Sequence, residues 1–212
     1  MTLEEKIGQL AHFSGGFATG PGANNLRFDD LVAKGQLGSL SNLTSAEATN
    51  HYQHIAMEKT RLHIPLLFGL DVIHGDHTVF PIPLAIAASW DPAAAQIVAH
   101  TGAIEARADG VNWVFSPMVD IARDPRWGRI IESSGEDPYL GSAMARAWIR
   151  GYQQGDLSKV NTTNSKSPRA GLTSGFINVC SCAVSAINAR RWHAQNKLSA
   201  GTLPRQARRR GD

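Results

Sequence analysis

The chain has 212 residues, 42% hydrophobic and 18% charged, a balance that fits a packed globular protein and not a disordered one. No apolar run approaches the roughly 18 residues a membrane-spanning helix needs, and the opening Met1-Thr2-Leu3-Glu4-Glu5-Lys6 lacks the basic-then-apolar order of a secretory signal. The net charge of +3 is unevenly spread: residues 157–212 hold ten Lys and Arg against Asp212 alone, whereas residues 1–156 hold eleven basic and seventeen acidic side chains. Basicity confined to the last quarter is a poor argument for nucleic-acid binding by the whole protein.

In chain order, Thr2 and Glu5 form a capping box ahead of Ile7 and Leu10, which share one face of a predicted helix. A Gly-rich loop from Gly15 to Gly22 follows, then a helix over Asn25 to Lys34 stopped by Gly35. Gly38-Ser39-Leu40 is a weak strand signal, and Ser45 opens a helix reaching about Arg61. Pro65 to Asp71 is a short apolar run ending in a carboxylate, the pattern of a strand buried on both faces. Pro81 and Pro83 punctuate the loop after it. Asp91-Pro92 is a strong helix start, with Gly110 as the stop. Trp113 to Ser116 is another strand, a long polar loop spans Pro117 to Pro138, and a last helix covers about Tyr139 to Tyr152.

Short buried strands alternating with helices predict an α/β protein with a parallel sheet. An open sheet and a closed barrel are not separated by this pattern. Both place chemistry beyond the C-terminal ends of the strands, which directs attention to Asp71 and to the Pro117–Pro138 loop. A carboxylate at a strand end can accept two hydrogen bonds, which suits vicinal hydroxyls of a sugar; a loop-capping role is the alternative. The loop holds Asp120, Arg123, Asp124, Arg126, Trp127, Arg129, Glu132 and Glu136, too much charge for a simple connection. Paired Arg and carboxylate groups there could form a rigid polar wall or a purely structural salt-bridged loop. His74 and His77 stand three apart, but a glycine-containing turn after a strand is a weak frame for a metal pair. Cys180-Ser181-Cys182 with His193 is weaker still.

After about Asn161 periodicity fades, apart from a short apolar piece from Phe176 to Ile187, and the chain ends on Arg208-Arg209-Arg210. Three readings of residues 157–212 stay open: a disordered basic tail, a stretch translated out of frame or through unspliced sequence, and a partner-binding arm.

Four stretches resemble glycoside hydrolase family 3, and most closely its bacterial periplasmic β-glucosidase group: Met1 to Leu10, Leu67 to Gly75, Pro81 to Pro92, and Phe115 through Arg129 to Asp137. The resemblance covers about residues 1–156 and implies the first half of a (β/α)8 TIM-type barrel followed by an irregular tail. It implies that Asp71 and Arg129 bind hydroxyls of the non-reducing sugar, with Glu132 and Asp137 supporting the loop. The implied reaction is retaining hydrolysis of terminal β-D-glucosyl residues by two carboxylates about 5 Å apart. No metal or organic cofactor is implied, and the implied partner is a β-glucoside or oligosaccharide, with no nucleic acid or membrane.

Several positions depart from the family pattern. No Lys-His pair occurs anywhere, and no Ser-Asp-Trp supplies a nucleophile, so no catalytic residue is assigned. Asp76-His77 stands where the group has a Tyr- or Gln-type residue followed by a basic or amide one, and Ser134 replaces an aromatic. The expectation is therefore a truncated enzyme, inactive alone and prone to self-association through uncovered barrel edges. A non-catalytic sugar-binding module is the alternative, and a protein that binds through its basic tail ranks third. Localisation stays open, since members of the group are often periplasmic or secreted.

Overall fold

A computed structural model describes residues 1–15 and 27–154 and the backbone of Thr162–Thr163. Most of the Gly15–Gly22 loop, the start of the Asn25–Lys34 helix, the cysteines with His193 and nearly all of the basic segment lie outside the described residues.

Four of the six helices among the described residues begin at a side-chain cap. Helix α1 (Leu3–Leu10) carries the complete capping box: Glu5 N–H donates to Thr2 Oγ1 and Thr2 N–H donates to the Glu5 carboxylate. Strand β1 (His12–Ser14) and helix α2 (Phe28–Ala33) follow, with Gly35 in the left-handed region after α2. Strand β2 (Ser39–Ser41) leads to α3 (Ala46–Lys59), capped by Ser45. Strand β3 (Leu67–Leu70) precedes α4 (Pro83–Ala88) and α5 (Pro92–Ala108), the latter capped by Asp91. Strand β4 (Trp113–Val114) is followed by two 3-10 turns, Pro125–Trp127 and Ile130–Glu132. Helix α6 (Pro138–Gln153) and strand β5 (Thr162–Thr163) complete the order.

All strand pairs are parallel, and their spatial order is the chain order β1-β2-β3-β4-β5. A doubly wound sheet reverses its order at a switch point, whereas a barrel adds strands in one direction. The sequential order resolves that ambiguity: the fold is α/β, a partial TIM-type barrel.

Several elements differ from the sequence expectation. Strand β1 is not signalled by the sequence, because it has only three residues and two of them, His12 and Ser14, are polar. Strand β5 was not expected either, because Thr162–Thr163 sits in a polar run. Pro83 does not merely punctuate a loop; it occupies the first turn of α4, where its missing N–H costs nothing. The shared face of α1 is solvent-exposed: Leu3, Ile7 and Leu10 are 73%, 59% and 86% accessible.

The core falls into two clusters. Val32, Leu40, Ile55, Leu66 and Phe68 join β2 and β3 to α2 and α3. The larger cluster joins β3 and β4 to α4, α5 and α6, with Ala95, Ala99, Ala103 and Ala106 of α5 facing Met144, Ala147, Trp148 and Tyr152 of α6. Small residues on α5 let the bulky face of α6 approach closely. None of the described helices is long and apolar enough to cross a membrane.

Candidate sugar-binding site

Asp71 is the first residue beyond β3, so the strand delivers its carboxylate to the C-terminal end of the sheet, exposed to solvent. The adjacent strand ends are polar as well. Asn42, directly after β2 and in the left-handed region at φ 62°, donates from Nδ2 to Ser14 Oγ at 2.9 Å. The mouth of the sheet from β1 to β3 thus presents Ser14, Asn42 and Asp71.

The second part of the site comes from the loop after β4. Asp124 caps the first 3-10 turn by accepting from Arg126 N–H at 2.9 Å and pairs with the Arg126 guanidinium, an exposed ion pair that rigidifies the turn. Gly128 then takes φ 88°, a conformation that disfavours any side chain and swings Arg129 onto a new heading. Arg129 donates from Nε to Glu132 Oε1 at 2.9 Å and from Nη2 to Glu132 Oε2 at 2.5 Å. This fork fixes the plane of the guanidinium, while 41% of the side chain stays accessible. The Glu132 hydrogen bonds hold the Arg129 pKa above its ordinary value, and the negative charges of Asp71 and Asp120 act in the same direction. Asp71, Asp120, Arg129 and Glu132 are therefore one electrostatic group, although 58 residues separate Asp71 from Arg129 in sequence.

The loop is closed behind this group. Ala122 N–H donates to Gly135 O at 3.0 Å, and the buried Ser133 hydroxyl donates to Ile130 O at 3.1 Å. Helix α4 packs against the second 3-10 turn, so the helix opened by Pro83 supports the turn that holds Glu132. Tyr152, fully buried near the end of α6, donates its hydroxyl to Val72 O at 2.5 Å and is bonded to Ser116 Oγ at 2.9 Å. It ties the residue after Asp71 to the start of the long loop, and burial raises its phenol pKa. Tyr152→Phe would leave the Val72 carbonyl and the Ser116 hydroxyl without this partner. The variant is expected to lose about 1–3 kcal/mol in urea unfolding with an unchanged m-value.

The two residues singled out from the sequence, Asp71 and Arg129, are brought together. Glu132 turns to Arg129, whereas Asp137 faces away and caps α6 by accepting from Leu140 N–H at 2.6 Å. Asp120, Asn42 and Ser14 join the site without having been separated from their neighbours in sequence. Asp120 and Asp124 look alike in a charged loop, and only the fold sends one toward Arg129 and the other to Arg126. Three carboxylates around one guanidinium offer acceptors, and the guanidinium N–H groups not used by Glu132 offer donors, to a neutral polyol, and the group opposes an anionic ligand.

Comparison with known proteins agrees with the fold. Residues 2–167 match the family model described as Glycosyl hydrolase family 3 N terminal domain. The chain is 41% identical over 153 residues to the periplasmic beta-glucosidase of Salmonella typhimurium, covering 72% of this chain and 20% of that protein. It superposes on the beta-glucosidase from Listeria innocua in complex with isofagomine with a TM-score of 0.70 and 40% identity, covering 79% of this chain and 24% of that one. A mutant of the Listeria innocua enzyme in complex with laminaribiose gives a TM-score of 0.66, also at 40% identity, over 77% of this chain and 24% of that one. The chain spans about a fifth to a quarter of the length of these relatives.

Proposed function

Because the chain belongs to glycosyl hydrolase family 3, we propose that it is the leading part of a β-glucosidase barrel, with Asp71 and Arg129 gripping the hydroxyls of a terminal β-glucosyl residue. The observation that carries this reading is that the charge of Asp71, just past the end of β3, acts on Arg129, which is locked in a fork by Glu132. A bidentate carboxylate and a fixed guanidinium at the C-terminal mouth of a parallel barrel suit a neutral sugar ring. The names of the relatives support β-glucosides as the substrate class, and the periplasmic name of one supports an exported whole protein.

In this reading residues 1–156 are the partial barrel domain, and their own task is to bind and orient. The retaining reaction also requires a nucleophile and an acid/base about 5 Å apart. No residue of this group is assigned to either role; Glu132 is engaged with Arg129 and Asp137 with α6. The outward Leu3, Ile7 and Leu10 of α1, and Trp127, Ile131 and Tyr139 near the site loop, are then surfaces that further barrel elements cover. Where nothing covers them, they favour self-association.

The test is complementation. The 212-residue chain alone is expected to give no measurable turnover of an aryl β-glucoside. A chimera of residues 1–156 joined to the corresponding remainder of the Salmonella typhimurium relative is expected to hydrolyse it. A folded chimera that binds glucose but never turns over would favour the non-catalytic module. A folded chimera that neither binds nor hydrolyses would overturn the reading.

A further inference from the structure

The loop after β3 doubles back onto the end of α5 through polar contacts unrelated to the sugar site. Thr78 donates its N–H to Glu105 Oε2 at 2.9 Å and its hydroxyl to Glu105 Oε1 at 2.5 Å. One residue earlier, His77 Nε2 lies 2.9 Å from Oδ2 of Asp109, the cap residue of α5. Asp76 completes the group. One donor atom each from Asp76, His77 and Asp109 lies within 4.8 Å of the other two. Asp76 Oδ2 is withdrawn from solvent and has no hydrogen-bond partner, the one such side-chain atom among the described residues.

A carboxylate oxygen removed from water without a donor is costly, and a cation is the partner that would relieve it. His77 does not fill that role, because its Nε2 is directed at Asp109. Three carboxylates, Asp76, Asp109 and Glu105, face one imidazole, so the cluster stays negative even when His77 is protonated. Glu105 is occupied by Thr78 and remains outside the donor set. What is left is one imidazole nitrogen and two carboxylates, a set that suits a borderline divalent metal such as zinc, with water completing its coordination. His77 is 63% exposed and can adjust, whereas Asp109 is 15% exposed and fixed by the helix end.

We propose that Asp76, His77 and Asp109 bind a divalent transition-metal ion, zinc in the first instance, which clasps the loop that starts at Asp71 to the end of α5. The metal takes the place of the proton between His77 Nε2 and Asp109 and gives the Asp76 oxygen its partner. Its role is structural, and no step of sugar chemistry passes through it. Sequence spacing offers only the weak pair His74 and His77, because Asp109 lies 32 residues from His77 and meets it only in the fold.

The experiment uses the full chain carrying Cys180→Ser and Cys182→Ser, so that thiols do not compete, after removal of metals with EDTA. Zinc chloride is titrated by calorimetry and thermal unfolding, with magnesium chloride as the contrast. The expected result is one equivalent of zinc bound and a midpoint raised by roughly 5–10 °C at about a hundredfold excess over Kd. Magnesium should give no such rise. His77→Ala and Asp76→Asn should each weaken zinc binding by at least about tenfold. His77 is exposed, so His77→Ala carries the test if the Asp76 variant does not fold. Zinc bound equally well by His77→Ala, or not bound by the parent chain, would overturn the site.

Discussion

Asp71→Ala is expected to lower kcat/KM for an aryl β-glucoside by about 10²–10⁴-fold in the chimera, with the fold intact by circular dichroism. A carboxylate that accepts two hydroxyls makes two charge-assisted hydrogen bonds, each worth about 1.5–3 kcal/mol. Every 1.4 kcal/mol is a factor of about ten in rate. Asp71 stands past the end of β3 and outside both core clusters, so its removal should leave stability almost unchanged. Asp124→Asn is the control: it removes a carboxylate charge from an exposed pair with Arg126 while its amide oxygen can still accept from Arg126 N–H and cap the turn, so kcat/KM should change little. Equal effects of the two variants would show that the mouth responds to net charge alone, and an Asp71→Ala enzyme within threefold of its parent would sink the assignment.

The contrast between these aspartates also marks how far sequence reasoning reaches. Asp71 stands out in the sequence because an apolar strand ends on it, a position that suits a ligand-facing or a loop-capping carboxylate equally. Arg129 was legible only through resemblance, since three arginines lie within seven residues of the same loop. Their convergence with Asp120 was not legible, because nothing local encodes a contact across 58 residues. The helices with side-chain caps, α1, α3, α5 and α6, begin where Thr2, Ser45, Asp91 and Asp137 place them. The short strands β1 and β5 escaped notice because two or three residues show no alternation, and register against a neighbour is what makes them strands. Leu3, Ile7 and Leu10 carry a helical stripe whose partner is not among the described residues. Periodicity reveals that such a face exists, not what covers it.

The seam between α5 and α6 leads to the largest expected effect on stability. Gly151 faces α5 so closely that a Cβ added there would lie 2.4 Å from Gln96 O, 2.6 Å from Ala99 Cβ and 3.1 Å from His100 N. Two of these atoms are backbone, so no rotamer change can make room; the helices must separate or shift. Separation would loosen the packing of Met144, Trp148 and Tyr152 on the alanines of α5, and that packing is the centre of the larger core cluster. Overpacking of this kind costs about 1–3 kcal/mol. For Gly151→Ala the thermal midpoint should fall by roughly 2–12 °C. Opening this seam also moves Tyr152, which joins Val72 to Ser116 behind the sugar site. In the chimera Gly151→Ala should therefore weaken glucose binding even at temperatures where the protein stays folded. A midpoint within 1 °C of the parent would mean that the helices already have room to part, and that the close approach at Gly151 does not anchor the loops it lies behind.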